Sequence, residues 1–165
     1  MSALSEYGKE LKEKQKLRNC YNLGETQLRR YVKEILDRGG RVKDASSLLI
    51  QKLESRFDNV VFRLGLASSR VQARQSVSHG HFLINGRPVN IPSYRLKKGD
   101  KVTVNSVSQK NKNFSALIPL LKKHQAPSWL KMDIEKVEGE VIGLPTVEEA
   151  APPAELPTIF EYYSR

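Results

Sequence analysis

The chain has 165 residues, of which 39% are hydrophobic and 28% charged, and its formal net charge of +10 gives an isoelectric point near 9.8. This composition is that of a folded protein, and no segment approaches the ~20 consecutive apolar residues of a membrane-spanning helix. Residues 1–16 lack the apolar core of a secretory signal, and a single cysteine, Cys20, excludes an intramolecular disulfide and a cysteine-rich zinc site, so we expect a reducing, cytosolic compartment.

The positive charge is concentrated in the middle of the chain. Residues 54–113 carry 11 Lys and Arg side chains against 3 Asp and Glu, whereas residues 114–165 carry 5 against 8. Because so few carboxylates are available locally, we expect the arginines of the middle segment to lack partners within the chain. Such an excess of cations is typical of proteins that bind polyanions. Charge alone leaves a nucleic acid, an acidic membrane surface and an acidic protein as alternatives.

The N-terminal region has the pattern of a surface helix. The prediction runs from about Ser5 to Leu17, with sparse apolar positions that include Leu4. Lys9, Lys12 and Lys16 share one face of this helix. Two interpretations of that face remain open, namely a solvated surface and a contact with phosphate.

A second helix is predicted from about Gly24 to Arg38, with Gly39 as its stop signal. Asn22 and Glu25 have the spacing of a capping box at its start. Its outer face carries two neighbouring arginines, Arg29 and Arg30.

A third helical pattern runs without a break from about Asp44 to Leu64. Arg56, Asn59 and Arg63 fall on one side of it, opposite the apolar residues. We expect this side to present its arginines to a partner, because it carries almost no acid.

Another helix is predicted to start at Ser68 and Ser69, with Gln72 at the capping-box spacing from Ser69. Arg70 lies in its first turn and Arg74 one turn later. A cation in the first turn opposes the helix dipole, and a docked anion would reverse the sign of that interaction. We take this conflict as an indication of a phosphate partner.

The periodicity then changes from helix to strand. Phe82–Ile84 leads into Asn85–Gly86, the strongest short-range signal for a hairpin, and Pro88 in the returning strand belongs at a sheet edge. Lys101–Val104 alternates as a strand. A short helix at about 114–123 and a strand hairpin of 129–134 with 137–144 follow, and the segment 150–157 is predicted to be extended. The fold class is therefore α+β, with helices first and a small antiparallel sheet after them.

Several segments together resemble a known family. They are Arg56–Ala67, Ser69–Gln75, Val77–His81 and Asn85–Gly86, in that order, and they look like the alpha-L RNA-binding motif. The chain is similar, nearly collinearly, to bacterial small-subunit ribosomal protein four. Further matching segments are Leu4–Gly8, Glu13–Arg18, Asn90–Tyr94 and Glu161–Arg165.

The resemblance implies a fold with an inserted domain. Residues 1–45 would form a helical domain completed by a tail, 148–165, that packs back against it. Residues 46–147 would form an RNA-binding domain of helices on a small antiparallel sheet, with the alpha-L motif at about 55–104. Members of the family usually have a longer N-terminal segment, sometimes with zinc-binding cysteines. We therefore expect a short N-terminal form of the family. The contacts that the longer segment makes with RNA in other members, and its zinc site, cannot be transferred to this chain.

The resemblance also implies a function without catalysis or cofactor. Family members are primary binders of 16S ribosomal RNA that grip a multi-helix junction, nucleate assembly of the body of the small subunit and sit near the mRNA entry and decoding-fidelity region. The partners implied are 16S ribosomal RNA, neighbouring small-subunit proteins five and twelve and nearby mRNA, with no membrane and no homo-oligomer. The location implied is the cytoplasmic ribosome.

The expected RNA-binding residues combine the cationic positions with helix-capping and histidine positions. Arg56, Arg63, Arg70 and Arg74 are the first candidates for phosphate contacts. The two histidines lack a third neighbouring ligand, so contact with RNA is favoured over a metal site. The complete set is Lys9, Lys12, Lys16, Arg29, Arg30, Arg56, Asn59, Arg63, Ser68, Ser69, Arg70, Gln72, Arg74, His79, His81, Arg87, Lys97 and Lys98.

Two alternatives to a structural ribosomal protein remain. One is an RNA-modifying enzyme that carries the motif as an appendage, although residues 105–165 are too few for a catalytic domain. The other is a free-standing RNA-binding factor acting on ribosomes, against which the collinear flanking segments argue.

Overall fold

The computed structural model describes residues 5–165, apart from the side chains of Val42 and Lys43. Leu4, an apolar position of the first predicted helix, lies outside the described residues. Among the described residues, the fold is α+β, as predicted. No helix in the part of the chain that the structure describes is long and apolar enough to cross a bilayer.

Helices occupy most of the N-terminal third and recur as short turns later in the chain. They are Glu6–Tyr21 (α1), Glu25–Asp37 (α2), Val42–Glu54 (α3), Phe57–Arg63 (α4), Arg70–Ser78 (α5), Ser106–Gln109 (α6), Lys112–Ser115 (α7), Ile118–Leu121 (α8), Val147–Ala150 (α9) and Leu156–Tyr163 (α10). The strands are Phe82–Ile84 (β1), Arg87–Pro88 (β2), Lys101–Val104 (β3), Leu130–Asp133 (β4) and Glu138–Val141 (β5).

The contacts divide the chain into two compact units. Among the described residues, one unit is helical and contains residues 5–53 and 146–165, and the other contains residues 54–145 and the sheet. The domains expected from the sequence, 1–45 with 148–165 and 46–147, place most of α3 with the sheet instead. These domain boundaries stay a prediction.

In the helical unit, α10 packs against α1 and α2. The Tyr163 hydroxyl donates to Glu25 Oε1 at 2.8 Å, and the Arg165 guanidinium donates twice to the Glu10 carboxylate, at 2.8 and 3.0 Å. Buried apolar side chains of this unit include Leu17, Leu28, Val32, Ile35, Ile159 and Phe160.

The start of α2 differs from the prediction. Asn22 does not form a capping box, because it lies in the left-handed region at φ +54° and ends α1. The residue at the N-cap of α2 is Gly24, which has no side chain to offer the helix.

The predicted single helix over 44–64 is wrong, because the chain leaves the helical path after Glu54. Leu96 N donates to Ser55 O and Phe57 N donates to Tyr94 O, both at 2.8 Å, and Arg56 pairs with Arg95 in an isolated β-bridge. This pairing with a distant segment separates α3 from α4.

The sheet is antiparallel, with strand order β2-β1-β3-β5-β4. The predicted hairpin is confirmed, since Asn85 (φ +51°) and Gly86 (φ +79°) form its two-residue turn and Pro88 lies in the edge strand β2. The hairpin predicted near the C-terminal end is also confirmed, with β4 pairing with β5. The single helix predicted at 114–123 is instead two short ones, α7 and α8.

Candidate nucleic-acid interface

The predicted site residues fall in both units. In the helical unit, Lys12, Arg29 and Arg30 are exposed. Lys9 lies 3.7 Å from Glu6 and Lys16 lies 2.8 Å from Glu13, and both lysines remain accessible to solvent. All other predicted residues lie in the unit that holds the sheet.

Arg56 and Asn59 lie in the interior of the second unit, with 4% and 1% of their surfaces exposed. The Arg56 guanidinium donates to both Asp58 carboxylate oxygens, at 3.1 and 3.0 Å. The break between α3 and α4 turns Arg56 inward, away from the surface that a continuous helix would have given it. The prediction that Arg56 lacks a carboxylate partner is therefore wrong.

Glu54, the last residue of α3, is fully buried and holds two further predicted residues. The Arg63 guanidinium donates to both of its carboxylate oxygens, at 2.9 and 2.8 Å. The Asn59 amide donates to Glu54 Oε1 at 2.7 Å and to the Glu54 carbonyl at 3.1 Å. A buried carboxylate needs such compensation, since an unpaired charge in the interior is costly.

Arg70 turns back onto the same group of side chains. Its Nε donates to Asn59 Oδ1 at 2.9 Å, its guanidinium lies over the Phe62 ring at 4.6 Å, and one of its nitrogens is 3.9 Å from Glu54. The unfavourable position of Arg70 in the first turn of α5 is thus offset in part by the buried Glu54 carboxylate. The prediction that Arg63 and Arg70 lack internal acids is wrong, because the few acids of this segment are placed where the arginines converge.

The start of α5 has the predicted cap. Ser69 Oγ accepts from Gln72 N at 3.0 Å, and Gln72 Oε1 accepts in turn from Ser68 N at 2.7 Å. Ser68, Ser69, Gln72 and Arg74 are all exposed along this edge. The edge therefore carries exposed hydroxyl, amide and guanidinium groups.

A second cationic group lies at one end of the sheet. Asp100 accepts from the Asn85 side chain at 3.0 Å and from Lys97 N at 2.8 Å, so the β1–β2 turn and the turn before β3 are joined. Arg87, Lys97 and Lys98 are exposed beside these turns. Their side chains have no carboxylate partner among the described residues.

The two candidate histidines differ in their surroundings. His79 is exposed at the end of α5, whereas His81 Nδ1 lies 2.6 Å from Ser108 Oγ and its ring packs edge-on against Phe114. Within residues 5–165 as described, no cluster of three or more His, Cys, Asp or Glu side chains is placed to hold a metal.

Two known domain families and several known proteins are similar to this chain. The S4 domain family matches residues 55–102, and the ribosomal protein S4/S9 N-terminal domain family matches residues 1–54. Small ribosomal subunit protein uS4 of Halothermothrix orenii is 45% identical over 161 residues, which are 98% of this chain and 76% of the relative. The uS4 proteins of Caldicellulosiruptor bescii and Chloroflexus aurantiacus are 46% and 42% identical over 98% of this chain, covering 76% and 78% of those relatives.

The chain belongs to the uS4 family. The resemblance inferred from the ordered motifs is thereby confirmed. The uS4 family is a ribosomal one with a structural, non-enzymatic role, which sets aside the enzyme carrying an appended motif.

Sequence reasoning about the interface missed two features of this uS4 family member. It did not identify Glu54 as an organising residue, because its buried partners come from two other helices. It also did not use the composition of residues 101–132, which contain six lysines and no Asp or Glu.

Proposed function

We propose that the chain is a primary 16S ribosomal RNA-binding protein of the small subunit. In this proposal it grips a multi-helix junction, nucleates assembly of the subunit body and sits near the mRNA entry and decoding-fidelity region. Its neighbours are small-subunit proteins five and twelve, it acts as a single copy on the cytoplasmic ribosome, and it binds no membrane. Family membership and the charge distribution of the matched S4 domain support this assignment.

The observation that carries the proposal is how the acids of the second unit are used. Residues 54–113 contain three acids: Glu54 and Asp58 are buried in ion pairs with arginines, and the half-exposed Asp100 accepts hydrogen bonds that join two turns. The exposed cations of this segment include Arg87, Lys97 and Lys98, which outnumber the one partly exposed acid and make the surface beside these turns cationic. Such a surface attracts the sugar–phosphate backbone and releases its condensed counterions.

The buried ion pairs fix the positions of the helices that carry part of this surface. Glu54 links the end of α3 to α4 through Arg63 and to α5 through Asn59 and Arg70. A preformed frame of this kind favours recognition of folded RNA by its contour and phosphate positions, since phosphate contacts fix orientation and base contacts read sequence. Arg56 and Asn59 belong to the frame, because they are too buried to contact RNA.

Arg63 and Arg70 keep part of their side chains at the surface, with 22% and 14% exposed. We retain them as phosphate contacts that are positioned by Glu54. Lys12, Arg29, Arg30, His79 and His81 remain proposed contacts, as do the paired Lys9 and Lys16 and the capping residues Ser68, Ser69 and Gln72.

A triple substitution of Arg87, Lys97 and Lys98 to Gln tests the proposed surface. We expect the slope of log K against log salt for 16S ribosomal RNA to become shallower by about 2, because each phosphate contact contributes roughly 0.7–0.9. The thermal midpoint should change little, since these side chains are exposed. Filter binding over a series of KCl concentrations measures the slope.

The matched control replaces Arg38, Arg41 and Lys136 by Gln, which removes the same charge from exposed positions outside the proposed surface. Its slope should change by less than about 1. Equal slopes for the two triple variants, or a wild-type chain that gives no footprint on full-length 16S RNA, would contradict the proposal.

A further inference from the structure

A lysine-rich segment lies directly after the matched S4 domain. Residues 101–132 contain six lysines and no Asp or Glu, although the whole chain has 18 acids. Four of these lysines, Lys110, Lys112, Lys122 and Lys123, accompany the short helices α6–α8. We call these four side chains the lysine strip.

The lysine strip is exposed and unneutralised. All four residues are exposed, and none forms an ion pair or hydrogen bond through its side chain with a described residue. Lys101, in the same acid-free stretch, differs, because it lies 3.7 Å from Glu138. Four positive charges with no internal carboxylate therefore face solvent.

The segment that carries the lysine strip is fixed to the S4 domain. Phe114 packs edge-on against Phe82 with ring centroids 5.7 Å apart, and Leu121 is 2% exposed. His124 Nε2 lies 2.7 Å from the Arg63 carbonyl oxygen, directly after Lys122 and Lys123. The lysines are thus presented by an anchored backbone, which reduces the entropy that a partner must remove on binding.

The position of α8 beside the S4 domain indicates which kind of partner the lysine strip binds. Leu117, Leu120 and His124 line one groove together with Gly65 and Ser68, so α8 runs beside the linker that leads into the exposed edge of α5. That edge carries Ser69, Gln72 and Arg74, part of the interface proposed above. The Lys122–Lys123 end of the lysine strip therefore follows a helix that lies next to the interface proposed above, and this proximity favours RNA over an acidic protein.

We infer that the lysine strip is a second phosphate-contacting surface that binds the sugar–phosphate backbone of ribosomal RNA. The inference rests on the proposed function and adds a binding surface outside residues 55–102. Lysines are compact charges without the planar fork of arginine, so the strip contributes affinity and salt dependence without base selection.

The test replaces Lys110, Lys112, Lys122 and Lys123 together by Gln. The charge-matched control replaces Arg38, Arg41, Lys131 and Lys136 by Gln, which are four exposed cations that belong neither to the lysine strip nor to the RNA contacts proposed above. The full chain and both variants are titrated with full-length 16S ribosomal RNA at several KCl concentrations. Circular dichroism checks that all three are equally folded.

We expect the strip variant to lower the salt slope by about 3 and to weaken binding at least about tenfold at low salt, with the control changing the slope by less than about 1. Hydroxyl-radical footprinting should show one discrete patch of protection lost in the strip variant alone. These results would support the inference.

Three outcomes would overturn it. They are equal slopes for the strip and control variants, an unchanged footprint, and weaker binding of the strip variant with an unchanged slope. If the wild-type chain binds 16S RNA no better than an unrelated RNA, the proposed function fails. If the wild-type chain binds and the strip variant matches the control, only the present inference fails.

Discussion

Glu54 shows how one buried carboxylate organises several cations. It accepts from Arg63 and Asn59, and Arg70 reaches the same group through Asn59 and at longer range. Removing a partner from a buried ion pair costs more than the pair itself contributes, because the remaining charge is left without compensation. The stability of the second unit should therefore depend more on Glu54 than on the surface arginines around it.

We expect Glu54→Gln to lower the free energy of unfolding by about 2–4 kcal/mol, near the usual cost of breaking a buried pair. The control is Glu138→Gln, whose carboxylate faces Lys101 at 3.7 Å on the surface and should cost less than about 1 kcal/mol. Urea unfolding of both variants measures the difference. Similar losses for the two variants would show that the Glu54 network is energetically no different from a surface pair.

At the scale of secondary-structure elements, β5 packs closely against Leu64, the residue at the C-terminal end of α4. Gly139 in β5 pairs with Val102 on one side and Met132 on the other, and a Cβ added to it would overlap Leu64 Cδ1. Leu64 is fully buried, so it has no open space into which to move. The absence of a side chain at Gly139 is therefore what allows α4 to approach the sheet.

We expect Gly139→Ala to lower the free energy of unfolding by about 1–3 kcal/mol, the usual cost of overpacking a core. Gly143→Ala is the matched control, because its added Cβ would make only ordinary contacts at 3.8 Å with Trp129. Thermal and urea unfolding compare the two. A Gly139→Ala variant as stable as Gly143→Ala would show that Leu64 repacks easily and that the approach of α4 is not limiting.

At the scale of the whole molecule, the two units use their charges differently. In the helical unit, acids hold elements together: hydrogen bonding by Arg165 lowers the pKa of Glu10, and Lys52 does the same for Glu34. Burial acts to raise the pKa of Glu25, but hydrogen bonds from Lys14 and Tyr163 leave it below its usual value. In residues 54–113, two of the three acids, Glu54 and Asp58, are buried in ion pairs, and most of the exposed charged side chains are cations.

The lowered pKa values give the helical unit a pH dependence of definite sign. As pH falls, these carboxylates take up protons near pH 4.5 in the unfolded chain and at lower pH in the folded chain. The stability that the ionised carboxylates provide is therefore present above pH 4.5 and is lost as pH falls through the lower folded pKa values. We expect Arg165→Gln to lower the thermal midpoint by about 1–3 °C at pH 7 and by less at pH 3, where Glu10 takes up protons.

Thermal unfolding of Arg165→Gln and wild type over pH 3–7 checks this expectation. Arg41→Gln serves as the control, because Arg41 is exposed and its side chain forms no ion pair with a carboxylate among the described residues. The contact between Arg165 and Glu10 would be shown not to stabilise the fold if the two variants gave the same pH profile.

The amino-acid sequence by itself determined the features that depend on neighbours along the chain. The Ser69–Gln72 cap, the Asn85–Gly86 turn and the edge position of Pro88 follow from local hydrogen bonding and backbone geometry, and the structure has all three. The ordered motifs likewise identified the family, which nearly full-length relatives confirm.

Only the tertiary structure decided which cations face outward. The break in the predicted 44–64 helix arises because Ser55 and Phe57 pair with Tyr94 and Leu96, a contact between segments about forty residues apart that no helical periodicity contains. That break turns Arg56 inward, and Arg63 of the next helix donates hydrogen bonds to the Glu54 carboxylate. Counts of acids and bases along a segment give its net charge, but pairing depends on three-dimensional distance, and so the exposed cationic surface could be found only in the folded chain.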